Sequence, residues 1–105
     1  MNNNGELDFI FEHLVFLSNR DLWLLLAETD NVTILQACQR ADDVILIRIR
    51  SVFSKTACDY FNDDLSKFWM TSDEEASRAR RRMVRIFHKL YRRGILKDWN
   101  LLYAA

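Results

Sequence analysis

Side-chain catalysis needs groups that converge, and the candidates in this chain are few. It holds two histidines, His13 and His88, and two cysteines, Cys38 and Cys58. Adjacent carboxylates, Asp63-Asp64, stand at the middle of DYFNDDLSKFW, where apolar residues fall at helical spacing. Paired carboxylates do acid–base work when they line one pocket and their environments differ. Neighbours on one helix point about 100° apart, which is poor geometry for a shared proton. The pair is also unfavourable as structure, because like charges repel and Asp has no intrinsic preference for a helix interior. Either it is incidental surface polarity, or something outside the chain meets it.

The other groups point away from chemistry. His13 falls on an apolar stripe and reads as a hydrogen-bonded core or boundary residue. His88 lies in a basic face and reads as solvent-facing. Cys38 and Cys58 match no metal or redox spacing and read as small packing side chains in a reducing compartment. Neither glycine, Gly5 or Gly94, has the neighbours a phosphate-binding loop requires. The expectation is a protein that is not an enzyme, with no catalytic residue, metal, cofactor or small-molecule substrate.

Charge supplies a second candidate surface. The net charge is zero, yet residues 1–75 carry 14 acidic and 6 basic side chains, while residues 76–105 carry 1 and 9. Such polarity bears on partners rather than on fold. Arg78, Arg80, Arg81, Arg82, Arg85, Lys89, Arg92 and Arg93 make a dense positive face on one segment, enough for several phosphate contacts. They spread around the whole polar arc, however, and the acidic half is available to pair with them. A solvated, partly neutralised helix face is therefore preferred, with a nucleic-acid-binding helical module as the alternative.

The elements that position these groups are helical throughout. The chain of 105 residues has no proline, two glycines and 50% hydrophobic residues. Hairpins need turn residues that are absent here, so composition predicts one all-α domain of about five to six helices, a compact bundle or solenoid segment. Phe9, Ile10, His13, Leu14 and Leu17 form a first stripe. Ser18 or Asn19 caps a second segment that turns Leu22, Leu25 and Leu26 inward. A third begins at Asp30-Asn31 and carries Ile34, Leu35, Cys38 and Ala41. Ile47-Arg48-Ile49-Arg50 alternates like a strand, but Ile45, Ile49, Val52 and Phe53 fit a helix capped by Asp42, which is the expectation. Ser54 opens a segment with Ala57, Phe61, Leu65 and Phe68 inward. The last helix starts at the capping box Ser72-x-x-Glu75, carries Ala76, Ala79, Met83, Ile86, Phe87 and Leu90, and stops at Gly94. The tryptophans and phenylalanines are expected mostly in the core. The domain is expected over residues 8–96, with a polar head over 1–7 and a tail over 97–105. No signal peptide or membrane span is legible, so the expected location is cytoplasmic with no direct membrane insertion.

Taken in order, FIFEHL, NRDLWLLLAETD, FSKTACDYFNDDL and ARRRMVRIFHKLYRRGIL resemble the C-terminal domain of the flagellar motor switch protein FliG, over about Asp8 to Leu96. The resemblance implies an armadillo-related helical superhelix in the cytoplasmic rotor, peripheral to the inner face of the membrane at the flagellar basal body. It implies protein partners, namely the stator's cytoplasmic loop and other switch-complex proteins. Asp63 and Asp64 match the acids of the stator-facing helix, and Phe9 and Phe11 match a hinge segment that begins with Met in the family and with Asp8 here. The family's basic positions on that surface hold Gln39, Thr56 and Ser72, with Arg40 and Lys55 beside two of them as substitutes. Arg78, Arg81, Arg82, Arg85 and Lys89 remain as the basic face. Only seven residues precede the hinge, so the expectation is a single domain without the family's N-terminal and middle domains. It is either an excised domain or a free-standing relative acting as a regulator or decoy for motor partners.

Overall fold

A computed structural model describes residues 9–97, and the expected head (1–7) and all of the expected tail beyond Lys97, Trp99 included, lie outside the described residues. Those residues form six helices and no strand. A 3-10 helix spans Phe11–Phe16 and is followed by α1 (Asn19–Glu28), α2 (Asn31–Ala37), α3 (Asp43–Arg50), α4 (Lys55–Lys67) and α5 (Asp73–Arg92).

A chain without proline must stop and start its helices by other means, and caps do this. Ser18, Asp30, Ser54 and Ser72 each stand in extended backbone and accept a hydrogen bond from the amide three residues on, at Asp21, Thr33, Ala57 and Glu75. Asp42 occupies the same place before α3 without a side-chain bond. At α5 the box is reciprocal: Glu75 accepts from the Ser72 amide at 2.9 Å. The far end of α5 closes through Gly94, whose φ of 74° suits glycine. The Ile95 amide reaches the Leu90 carbonyl and the Gly94 amide reaches Tyr91, each at 3.0 Å, which is the Schellman pattern.

Two expectations fail for identifiable reasons. The first segment is a 3-10 helix, whose period of three aligns Phe11, Leu14 and Leu17. All three are buried, and Ile10, expected inside from a 3.6-residue period, is half exposed. The expected aromatic core is also only partial. Trp23 and Trp69 are 55% and 71% exposed, and Phe16 is exposed too. The buried leucines and isoleucines come from five of the six helices, and the interior is built mainly from them.

The core is built on α5. Ala76, Ala79, Met83, Phe87 and Leu90 are buried along one stripe, and the most extensive helix pairing is α2 against α5. Phe9 lies flat on Phe87, with ring centroids 3.8 Å apart and planes 10° from parallel. Cys38 is buried in the same core as a packing residue, its thiol pushed up to about 12 by loss of solvent. By contrast α4 buries only Phe61 fully, while Ala57, Leu65 and Phe68 are half-buried. It therefore sits on the rim of the domain with one edge attached. Among the described residues no helix is long and apolar enough to cross a membrane.

Candidate functional site

The attachment of α4 decides where its polar residues go. Phe61 and Leu65 face inward, so Asp63 and Asp64, displaced from them around the helix, project outward. Their side chains are 66% and 51% exposed. Lys67, one turn further on, reaches Asp63 at 3.1 Å and Asp64 at 3.9 Å. Acid followed four residues later by lysine is the favourable order on a helix. The hydrogen bond that Lys67 donates to Asp63, then the charges of both acids, hold its ammonium above its ordinary value. The answer to how a helix tolerates the acid pair is thus local: a third residue, missed in the sequence, lies across both. The (i, i+3) and (i, i+4) spacing was the available signal.

Asp64 also borders a shallow groove between α2 and α4 of about 290 Å³, lined by Ile34, Leu35, Phe53, Tyr60 and Phe61 among others. Tyr60 is 68% exposed on its edge. The helix thus offers two exposed acids next to a mostly apolar recess.

The structure does not bring the two expected basic substitutes to the acids. Arg40 takes φ 56° after α2, and its guanidinium donates to the Thr71 carbonyl at 2.8 Å and to Asp73 at 2.9 Å. It ties the end of α2 to the start of α5. Lys55 is exposed at the first turn of α4, eight residues before Asp63 and so about 12 Å away along the helix axis. Of the three positions expected to match basic residues of the family, Gln39 is buried and donates to the Leu65 carbonyl at 3.0 Å and the Leu35 carbonyl at 3.3 Å. It lies in the seam directly beneath the acid-bearing turn. Thr56 is exposed in the first turn of α4, and Ser72 is engaged in the α5 capping box.

Phe9 and Phe11 are buried against α5. Phe11 lies under the Arg80 guanidinium, whose carbon is 5.1 Å from the ring centroid. That arginine must leave the basic face. Its Nε donates to the Ala37 carbonyl at 2.8 Å and its Nη2 to the Gln39 carbonyl at 2.9 Å, completing the end of α2. Arg78, Arg81, Arg82, Arg85 and Lys89 are exposed. The expected neutralisation by the acidic half is not found, since none of these five forms an ion pair among the described residues. Their influence is at longer range: Arg82 adds to the lowering of Asp30 after its hydrogen bonds with Thr33, and Arg78 adds to that of Glu75 after its bonds with Ser72.

His88 departs from its expected solvent-facing place. It is half-buried, and its Nε2 is buried without a hydrogen-bond partner among the described residues. His13 is a boundary residue whose Nδ1 accepts from the Ile10 amide at 3.3 Å. A further buried acid, Asp21, went unremarked in the sequence. It accepts from Arg20 at 2.8 Å and from the Lys97 amide at 3.1 Å, holding the segment after α5 against α1. No group of three or more metal-ligating side chains occurs among the described residues.

Comparison with known proteins agrees with this architecture. Residues 5–97 match the sequence model of the FliG C-terminal domain. The fold is similar to a crystal structure of FliG residues 116–343 from H. pylori, with a TM-score of 0.82 at 20% identity, covering 88% of this chain and 40% of that one. It is also similar to full-length FliG from Aquifex aeolicus, with a TM-score of 0.77 at 30% identity, covering 82% of this chain and 27% of that one. The chain therefore spans less than half the length of these relatives. No curated protein matches it.

Proposed function

This chain belongs to the FliG C-terminal domain family, and we propose that it serves as a rotor or switch domain of the flagellar motor whose α4 meets the stator. The family is a structural motor-switch domain rather than a family of enzymes. The observation that carries the reading is the placement of Asp63 and Asp64 on the outward side of a helix held to the domain along one edge. The partner is a basic cytoplasmic loop of the stator, and the working location is the cytoplasmic face of the membrane at the basal body.

Exposed charge suits repeated, reversible contact. Each exposed pair contributes at most about 1 kcal/mol, so one contact releases as the next forms. A cluster still guides approach over a Debye length of roughly 8 Å in physiological salt. Lys67 supplies a counter-ion between encounters, and its own exposure makes it easy to displace.

The test is a full-length switch protein whose C-terminal domain is replaced by residues 8–105. Swimming is expected with the acids intact and lost with Asp63→Lys and Asp64→Lys, while the reversed domain loses no more than about 1 kcal/mol of stability, the scale of exposed ion pairs. A reversed domain that unfolds early would make the pair structural, and one that still swims would remove it from the contact.

A further inference from the structure

A second surface shares no residue with the recess beside Asp64. The segment from Phe9 to Glu12 and one side of α5 enclose a groove of about 460 Å³. Its apolar part includes Ile10, half exposed, and Val84, half-buried. Arg81 and Arg85, one turn apart on α5, stand on its margin. Like charges at that spacing repel, and neither forms an ion pair among the described residues. Among the described residues Glu12 is the only acid that lines it, and Arg80, which also borders the groove, is committed to the α2 carbonyls. His88 lines the same groove with its Nε2 buried and without a hydrogen-bond partner among the described residues, an expensive condition for a polar atom.

We propose that this groove docks an acidic, amphipathic segment of a partner protein. The segment's apolar side chains rest on Ile10 and Val84, and its carboxylates meet Arg81 and Arg85. Charge complementarity selects an acidic occupant, and the apolar strip between the arginines selects a protein one. Nucleic acid would use the arginines but gain nothing from that strip. It would also want exposed rings for base stacking, whereas Phe9 and Phe11 are 3% and 4% exposed. The site is independent of the stator-facing reading of α4.

The test uses the full chain and a short fluorescent helical peptide with leucine on one face and glutamate on the rest, followed by anisotropy and by the imidazole resonances of His88. Binding should shift those resonances. Arg81→Glu with Arg85→Glu should weaken binding by about tenfold or more, and Ile10→Asp, at an exposed position, should weaken it as well. Asp63→Lys with Asp64→Lys should leave affinity unchanged. Equal binding of a peptide with glutamine in place of leucine would reduce the site to bare charge attraction and overturn the proposal. So would tighter binding of a single-stranded RNA through the same arginines. A groove that binds the peptide only after residues 1–7 are removed would belong to the chain's own leading segment instead.

Discussion

Lys67 lies across Asp63 and Asp64, its ammonium 3.1 Å from one carboxylate and 3.9 Å from the other. One cation against two anions leaves the turn acidic, and all three side chains are more than half exposed. Such an arrangement holds the helix together without concealing its charge. A basic partner approaching α4 competes with Lys67 for the same two carboxylates.

That competition yields a first prediction. Lys67→Gln removes the internal competitor, so a peptide of the stator's basic loop should bind the full chain about two- to fivefold more tightly at low salt. The gain should fade as ionic strength rises and the Debye length shortens. Fluorescence anisotropy across a salt series checks it. A Lys67→Gln chain with unchanged affinity would mean that the peptide does not meet the acid pair.

Arg80 gives a second prediction, on stability. Its guanidinium completes two carbonyls at the end of α2 and covers Phe11, so three elements depend on one side chain. Arg80→Met should cost about 2–4 kcal/mol, since two partly buried acceptors lose charged donors at once. Arg80→Lys should recover little, because an ammonium cannot fork to two carbonyls and lie flat on a ring. Urea unfolding of the three chains measures both. Arg81→Met, on the open face, is the control and should shift stability by less than about 0.5 kcal/mol.

Asp21 gives a third. It is fully buried and pairs with Arg20 and the Lys97 amide, while Arg20 also donates to the Ile95 carbonyl at 3.0 Å. Asp21→Ala leaves the Lys97 amide without this acceptor, while Arg20, half exposed, keeps its bond to Ile95, so the change should cost about 1–3 kcal/mol. The segment from Ile95 to Lys97 should loosen first, so hydrogen exchange at the Lys97 amide should accelerate more than exchange at Phe87 in the core. Equal acceleration at both would mean that Asp21 supports the whole domain and not the segment in particular.

The capping carboxylates set a pH dependence. Hydrogen bonds with Ser72 hold Glu75 below its ordinary 4.5, and the Thr33 hydroxyl holds Asp30 below 3.8. A group whose folded value is depressed contributes stability above its unfolded value and loses it as pH falls through the folded one. Stability should therefore be constant above about pH 5 and decline toward pH 3. Glu75→Gln keeps a side chain able to accept from the Ser72 amide but cannot titrate, so its decline should be shallower. Thermal unfolding at half-unit pH steps distinguishes the two chains.

Much of the fold is legible in the residues themselves. Serine and aspartate caps spaced between apolar stripes mark every α-helix start, and Gly94 marks the last stop. The strand-like Ile47-Arg48-Ile49-Arg50 resolves as α3 because Ile45 and Ile49 both face the core. What was not legible depends on tertiary neighbours. Nothing near Arg80 in sequence distinguishes it from Arg81, and only the end of α2, some 41 to 43 residues away, makes one structural and the other free. His88 is half-buried with its Nε2 out of solvent, which no local pattern announces. Nor does any local pattern show that Gln39 becomes a buried amide bonded to the Leu65 carbonyl.

The central claim is that α4 meets its partner through the signs of Asp63 and Asp64, and a charge swap tests it most directly. In cells carrying the chimeric switch protein, Asp63→Lys with Asp64→Lys should stop rotation, and replacing the basic residues of the stator loop by glutamate should restore it. Restoration would establish a contact set by opposite charge. A correctly folded, assembled chimera that no stator charge reversal can rescue would contradict it.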